Sequence, residues 1–285
     1  MSAGQKKRMH TVPRSYLEAF AVVDPTRRSP GIWRFDRNGA FKVVGLDQAE
    51  VVKHFYTVFR DGSPDTGIED ILCGIEGDFC PARDAIVERQ PLEKVHRTAL
   101  ARFIAAQLLR TPRFFQSMCA FLDFQGVRYE HNDLRGAMLQ LIDYWIPRLA
   151  RMNAVYAYND TSVPFLTSDN PAVAWKKSPD GLVWGVLDQY DPHLIISCPL
   201  TPTLAFVAYQ TPTSLQAANT EDHETPRHER VAKTFTTHVD CGTLPEAEVQ
   251  RLNGLCIANA HTCVYSCYND TALEQHINTA FGRHS

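Results

Sequence analysis

Six polar side chains from three distant segments of the sequence could act together on an anionic substrate. The set comprises His10, Arg14, Gln107, Arg110, Asp169 and Asn170. A histidine can serve as a base or a metal ligand, and an aspartate can serve as a metal ligand or as an acid or base. We therefore expect His10, Asp169 and Arg110 to be catalytic. The sequence assigns no metal ligands and no cofactor, although these residue types are compatible with a divalent metal.

The arginines and amides of this set are typical of phosphate recognition. Guanidinium groups form charge-assisted hydrogen bonds with phosphate oxygens, and side-chain amides can orient a substrate. We expect Arg14, Gln107 and Asn170 to bind substrate, and Arg110 to contact its phosphate charge.

Gln107 and Arg110 interrupt the apolar face of a predicted helix. Gln107 falls four residues after Phe103 on an apolar stripe of helical period, and Arg110 follows on nearly the same face. Buried polar groups need partners, because leaving one unpaired costs several kcal/mol. Two interpretations stay open: a functional contact, or a structural one in which Gln107 bonds a backbone carbonyl and Arg110 pairs with an acid.

Asp169 follows an apolar run that predicts a strand at residues 164–166. In Ser168-Asp169-Asn170-Pro171, the proline favours extended backbone at Asn170, and Asp169 can close the strand with an Asx-turn. That is the structural interpretation. The functional one is a carboxylate presented at the end of a strand, for a metal or for proton transfer.

His10 and Arg14 belong to a segment that predicts a short helix. Thr11 would cap this helix, Pro13 would lie in its first turn, and Tyr16 would contribute to its apolar face. Because so short a helix cannot bury its apolar side chains alone, we expect it to pack against both the helical middle section and the later sheet.

The elements that must position these residues divide the chain into three sections. Asn38-Gly39 between two β-rich runs predicts a hairpin. Apolar periodicity makes the section from about residue 66 to 152 helical, and strands return from residue 154. Helices set apart from a mostly antiparallel sheet define an α+β fold. We predict a single domain over residues 1–285.

A further helix is predicted with Thr243 and Pro245 in its first turn and its end at about residue 260, and the last helix from 272 to 281. Asn253 faces inward on the first of these, three residues before Cys256. Buried polar side chains are usually satisfied structurally, so a bond that ties a strand to this helix is the favoured interpretation.

Composition excludes several classes of protein. The 285 residues are 44% hydrophobic and 21% charged, which excludes disorder and fibrous repeats. The net charge of −3 gives no overall attraction to nucleic acid or membrane. The uncharged stretch 194–220 contains three prolines, which favours sheet plus loop over a membrane span, and we expect no membrane partner.

The eight cysteines form no CxxC pair, which argues against a disulfide-rich secreted scaffold. The spacings His238-x-x-Cys241 and His261-x-Cys263-x-x-x-Cys267 lack the regular geometry of a structural zinc site. Buried free thiols are the favoured interpretation. With no signal peptide at the start of the sequence, we expect a cytoplasmic protein.

Several motifs occur together along nearly the whole chain. They read His10-Thr11-Val12-Pro13-Arg14-Ser15-Tyr16-Leu17, Gln107-Leu108-Leu109-Arg110-Thr111-Pro112, Thr167 to Pro171, Pro199-Leu200-Thr201-Pro202, Leu252-Asn253 and Val264-Tyr265-Ser266. With them the chain resembles a bacterial family of unknown function, although Thr11 replaces the usual aromatic residue. The resemblance implies no established activity.

The leading hypothesis of function is a hydrolase of phosphoester or nucleic-acid substrates, with or without a metal. The alternative is a non-catalytic binding or sensor module for a small anionic ligand or a partner protein. A third hypothesis is purely structural, with every motif a cap, a turn or a core contact. The hydrolase hypothesis predicts that Arg110 and Asp169 share one cleft, with His10 at its edge.

Overall fold

The helical section lies between two strand-rich sections of the chain, as the sequence predicts. The computed structural model describes residues 8–22, 29–60, 63–179, 181–185, 188, 190–210 and 238–282. Its helices are α1 Arg14–Leu17, α2 Gly67–Val87, α3 Lys94–Leu109, α4 Pro112–Phe124, α5 His131–Arg151, α6 Glu246–Asn259 and α7 Thr271–Ala280. Between α3 and α4 the chain turns at Arg110 and Thr111. This turn places the end of α3 next to the candidate site.

The strands form two main sheets. They are β1 Arg8–His10, β2 Gly31–Asp36, β3 Phe41–Gly45, β4 Val51–Lys53, β5 Val58–Arg60, β6 Ser63–Asp65, β7 Asn153–Tyr158, β8 Thr167–Ser168, β9 Val173–Ser178, β10 Gly181–Trp184, β11 Ile195–Thr201, β12 Leu204–Tyr209, β13 His238–Thr243 and β14 Cys263–Ser266. In the described residues, one sheet has the order β10-β9-β11-β12-β7-β13, the other β3-β2-β14-β8, and β1-β4 and β5-β6 are separate pairs. Of these pairings, only β13 with β7 is parallel. The predicted α+β fold class is confirmed.

The hairpin predicted around Asn38-Gly39 is confirmed as β2 and β3. Gly39 has a φ of +96°, a left-handed conformation that glycine adopts without strain. On its other edge β2 pairs with β14, with Asp36 opposite Cys263. The four-stranded sheet therefore joins the first and last parts of the described chain.

The strand predicted at residues 164–166 is wrong, since the strand begins only at Thr167. Leu166 N–H donates to Asn253 Oδ1 at 2.8 Å, and Asn253 Nδ2 donates to the carbonyl of Pro164 at 2.9 Å. The backbone of this segment is thus bonded to a side chain of α6 and, through the Phe165 N–H, to the carbonyl of Pro202 between β11 and β12, and it is not part of a strand. The inward position predicted for Asn253 is confirmed.

The six-stranded sheet is covered on both faces. Side chains of α2, α3 and α5 pack on one face, where Tyr156 and Tyr158 of β7 contribute to the main core. Ala157, between them, points to the other face and packs with Val249 and Leu252 of α6. This alternation follows from the two-residue period of a strand.

The N-terminal segment packs against both the helices and the sheet, as predicted. The Tyr16 ring lies 5.6 Å from the Phe103 ring, and its hydroxyl donates to the carbonyl of Pro199 at 2.6 Å and lies 2.7 Å from Thr167 Oγ1. The predicted cap is wrong, because α1 begins at Arg14 and no side chain caps it. Thr11 bonds Glu50 instead.

No helix among the described residues is both long and apolar enough to cross a bilayer. The interpretation of residues 194–220 as sheet plus loop is confirmed for β11 and β12, and residues 211–220 lie outside the described part. The single domain over residues 1–285 stays a prediction.

Candidate functional site

Asp169 lies just after β8 and is bound by the segment that leads into β14. Its Oδ1 accepts the His261 N–H at 2.8 Å. Its Oδ2 accepts the N–H and the hydroxyl of Thr262, at 2.5 and 2.7 Å, and the N–H of Cys263 at 3.3 Å. Four donors converge on a residue that is only 2% exposed, so its position is fixed mainly by the backbone.

Glu50, between β3 and β4, is a second buried carboxylate. Its Oε1 accepts the Tyr265 hydroxyl at 2.6 Å and the Cys263 thiol at 3.2 Å, and its Oε2 accepts the Thr11 hydroxyl at 3.1 Å. Burial raises the pKa of Glu50, and the negative charge of Asp169 raises it further, so that both outweigh these donors. Glu50 therefore has a greater affinity for a proton than an exposed glutamate.

Glu50, Asp169 and Cys263 form a compact group, the carboxylate–thiol cluster. One potential ligand atom of each residue lies within 4.8 Å of the others, and all three residues are buried. Two neighbouring buried carboxylates are unfavourable unless a proton or a cation compensates them. Arg34 forms an ion pair with Glu50, with Nη1 3.9 Å from Oε1, and its side chain is 25% exposed. The cluster thus borders the surface at Arg34.

Glu50→Gln is expected to stabilise the metal-free protein above pH 7. A carboxyl group whose pKa is raised on folding stabilises the protein fully below its unfolded value, near 4.5, and loses that stabilisation as the pH rises through the raised pKa. Glutamine is uncharged at every pH, so the Tm measured with a chelator at pH 7.5 should rise by about 2–4 °C. The exposed Asp143→Asn is the matched control. A Tm for Glu50→Gln that falls equally at pH 5 and pH 7.5 would contradict this expectation.

Asn170 lines a small cavity beside Asp169, with a volume of about 160 Å³. Its Oδ1 accepts the Thr111 hydroxyl at 2.8 Å, and its Nδ2 donates to the carbonyl of Asn259 at 3.2 Å. Arg113 lines the same cavity and donates Nη1 to that carbonyl at 2.8 Å. The cavity therefore combines a fixed amide with a guanidinium next to the buried Asp169.

Arg110 is a buried anchor between three segments of the chain. Its Nη1 lies 2.7 Å from Glu76 Oε1, and its Nη2 donates to the carbonyl of His10 at 2.6 Å. Its Nε donates to the Tyr56 hydroxyl at 3.2 Å, and that hydroxyl donates to the Arg110 carbonyl at 2.8 Å. This is the pairing with an acid that the structural interpretation describes.

Comparison with models of known protein families shows which family the chain belongs to. A family model described as "Protein of unknown function (DUF4238)" matches residues 8–134 and 122–270. The chain belongs to this family. No curated protein and no solved structure matches it. The prediction of a family of unknown function is confirmed.

In this DUF4238 protein, the segments that carry the sequence motifs contact one another. Tyr16 of the first segment contacts Thr167 and Pro199, and Arg110 of the helical segment contacts His10. Asp169 and Asn170 lie together, but neither Arg110 nor Asp169 faces an open cleft, since they are 1% and 2% exposed.

His10 and Arg14 lie closer to the surface. The Nδ1 atom of His10 is 3.0 Å from the carbonyl of Ala49, and burial lowers the pKa of His10, which keeps its imidazole neutral at pH 7. Arg14 pairs with Asp47 at 3.1 Å, and its side chain is about half exposed.

Gln107 is fully buried on the inner face of α3. Neither atom of its amide has a hydrogen-bond partner among the described residues of this DUF4238 protein. The structure therefore shows no hydrogen bond from the Gln107 amide to a backbone carbonyl, to Asn170 or to Asp169 among the described residues.

Sequence reasoning missed Glu50 and Arg113, and it named Tyr265 only as part of the motif Val264-Tyr265-Ser266, with no role. Glu50 lies in a turn with no motif, and its φ of +52° is unusual for a residue other than glycine. Cys263 was considered with His261 as a metal spacing, but His261 contributes its backbone N–H rather than its imidazole. The side chains of the other spacing, His238 and Cys241, lie outside the described residues.

Proposed function

We propose that this protein is a metal-assisted hydrolase of phosphoesters, with the carboxylate–thiol cluster as its metal site. The observation that carries the proposal is the burial of Glu50 and Asp169 side by side, with the Cys263 thiol within 4.8 Å of both and Arg34 as a counter-charge 3.9 Å from Glu50. A divalent cation would compensate both carboxylates at once.

The donor set suits zinc or a similar divalent ion. Thiolate and carboxylate ligands bind zinc at about 2.0–2.3 Å, and one ion can satisfy all three groups of the cluster. Asp169 Oδ1 accepts one hydrogen bond among the described residues, so a lone pair is left for an ion. Burial raises the pKa of the Cys263 thiol, so metal binding would displace its proton and would strengthen as the pH rises.

The substrate would place a phosphoryl group in the cavity lined by Asn170 and Arg113. A volume of about 160 Å³ admits such a group, and a guanidinium binds phosphate oxygens through paired hydrogen bonds. The proposal includes a small phosphoester or the backbone of a nucleic acid as substrate. We propose a cytoplasmic location, because the cysteine pattern argues against a disulfide-rich secreted scaffold.

Both the ion and the side chains of the protein would contribute to the proposed hydrolysis. When bound, a divalent ion polarises a phosphoryl oxygen and lowers the pKa of water. Arg113 would neutralise phosphate charge, and Asn170, held by Thr111, would orient the ester. Glu50, Asp169 and Cys263 would hold the ion.

Hydrolysis of bis(p-nitrophenyl) phosphate tests the proposal. We expect the chelated protein to be inactive, and activity to return with zinc or manganese at one ion per chain. Glu50→Gln and Cys263→Ser should lose at least 100-fold in kcat, and Arg113→Gln should mainly raise KM. Glu50→Gln is informative because we expect it to be at least as stable as the wild type. Asp143→Asn should retain full activity.

Two outcomes would overturn the proposal. A protein that binds no divalent ion and hydrolyses none of these substrates would favour the non-catalytic binding module. Activity that survives Glu50→Gln and Cys263→Ser would remove the cluster from the reaction.

A further inference from the structure

A second cavity lies at the opposite end of α3 from the candidate site. It has a volume of about 360 Å³, within the range of ligand cavities, and is lined by Arg89, Gln90, Leu92, Arg97, Tyr156 and Tyr158 among others. Thirteen residues of helix separate Arg97 from Arg110, or roughly 20 Å. The two cavities have no lining residue in common among the described residues.

The lining of this cavity is basic without compensation. Its described lining contains two guanidinium groups and no carboxylate, and neither Arg89 nor Arg97 forms an ion pair with the described residues. The Nε atom of Arg97 is buried and has no hydrogen-bond partner there. Buried guanidinium N–H groups without acceptors are unfavourable, and a bound anion would satisfy them.

The conformation of Arg89 supports a role for its side chain. Arg89 N–H donates to the carbonyl of Ile86 and Gln90 N–H donates to that of Ala85, which forms a Schellman motif at the end of α2. Arg89 occupies the left-handed position of this motif, at φ +56°, where glycine is usual. Arginine adopts this conformation less readily than glycine, so helix termination alone does not account for the residue at this position.

The Tyr158 ring packs against the Arg89 guanidinium beside the cavity. The guanidinium lies 4.0 Å from the centre of the Tyr158 ring, and the Tyr158 hydroxyl donates to the carbonyl of Ile86 at 2.8 Å. Tyr158 therefore contacts both the helix end and the guanidinium. Pro91 and Leu92 add a nonpolar wall beside these charges.

We propose that this cavity binds a small organic phosphate, with its phosphate between Arg89 and Arg97 and its nonpolar or aromatic part against Pro91 and Leu92. This site goes beyond the proposed hydrolase and does not depend on it, because none of its residues belongs to the carboxylate–thiol cluster.

Isothermal titration calorimetry with three probes tests the proposal on the full chain. AMP carries both the charge and the ring, inorganic phosphate carries the charge alone, and adenosine carries the ring alone. We expect AMP to bind at least tenfold more tightly than either of the others, with an affinity that falls as salt is added.

Two variants and one control locate the site. Arg97→Gln and Arg89→Asn should each weaken AMP binding at least tenfold, and asparagine tolerates the left-handed conformation, so the end of α2 should be retained. The exposed Arg128→Gln removes the same charge elsewhere and should bind AMP as the wild type does. All three should keep a Tm within about 2 °C of the wild type. Hydrolase activity plays no part in this readout, so its absence would leave the result unchanged.

Several results would overturn the proposal. Adenosine or inorganic phosphate could bind as tightly as AMP. Both arginine variants could bind AMP with the affinity of the wild type, or the wild type could fail to bind AMP at millimolar concentration. A 5′-phosphorylated tetranucleotide that binds at least tenfold more tightly than AMP would assign the cavity to a nucleic-acid end instead of a small ligand.

Discussion

Arg110→Met is expected to lower the free energy of unfolding by about 3–5 kcal/mol, the usual cost of removing one partner from a buried ion pair. The guanidinium is 1% exposed and donates to the Glu76 carboxylate, the His10 carbonyl and the Tyr56 hydroxyl. Methionine has a similar length but donates nothing, so three acceptors from three segments lose their donor together. Urea denaturation at pH 7 measures the change.

Arg102→Met is the matched control for this prediction. Arg102 lies on the same helix and pairs with Asp78 of α2 at 3.3 Å, but both side chains are about half exposed. Exposed pairs contribute about 0–1 kcal/mol, so the control should cost no more than that. The double variant Arg110→Met with Glu76→Met should regain part of the loss, because it no longer leaves the carboxylate unpaired. Equal effects of the Arg110 and Arg102 substitutions would contradict the anchoring role.

Asp169→Asn is expected to cost about 2–4 kcal/mol, because each charge-assisted hydrogen bond contributes about 1.5–3 kcal/mol. The carboxylate accepts from both of its oxygens, whereas the asparagine amide would turn an N–H group toward either His261 or Thr262 and Cys263. One set of donors would then face another donor instead of an acceptor. We expect the loss in urea denaturation and as a lower Tm.

Two comparisons separate the parts of this effect. Thr262→Val removes only the hydroxyl bond to Asp169 Oδ2 and should cost about 1 kcal/mol. Asp143→Asn changes an exposed carboxylate and should be nearly neutral. If Asp169→Asn melts within about 2 °C of the wild type, the four bonds do not stabilise the fold as described.

Local patterns in the sequence predicted most of the fold. The hairpin at Asn38-Gly39 depends on turn chemistry, and α3 on an apolar stripe, and both signals are contained in about a dozen residues. The position of Asn253 was also predictable, because a polar residue on an apolar face is visible in the sequence. The strand at residues 164–166 was not, since its backbone partner is a side chain almost 90 residues later.

The candidate site was less predictable because its contacts are non-local. The sequence singles out Asp169 and Asn170 through their turn, but Glu50 reaches Tyr265 across 215 positions and no spacing records that contact. For Gln107, the sequence predicted the position of the side chain but not its contacts. Its inward position was predictable from helical period, yet its amide has no partner among the described residues.

The pairing of β2 with β14 sets the order in which this protein can mature on the ribosome. Asp36 lies opposite Cys263, so about 227 residues must be added before β2 gains its second neighbour. At 5–20 residues per second this takes roughly 11–45 s. Until then Glu50 is made but lacks Cys263 and Tyr265, and the carboxylate–thiol cluster does not exist. A nascent chain released before residue 263 therefore carries no cluster, whatever part of its helical section has folded.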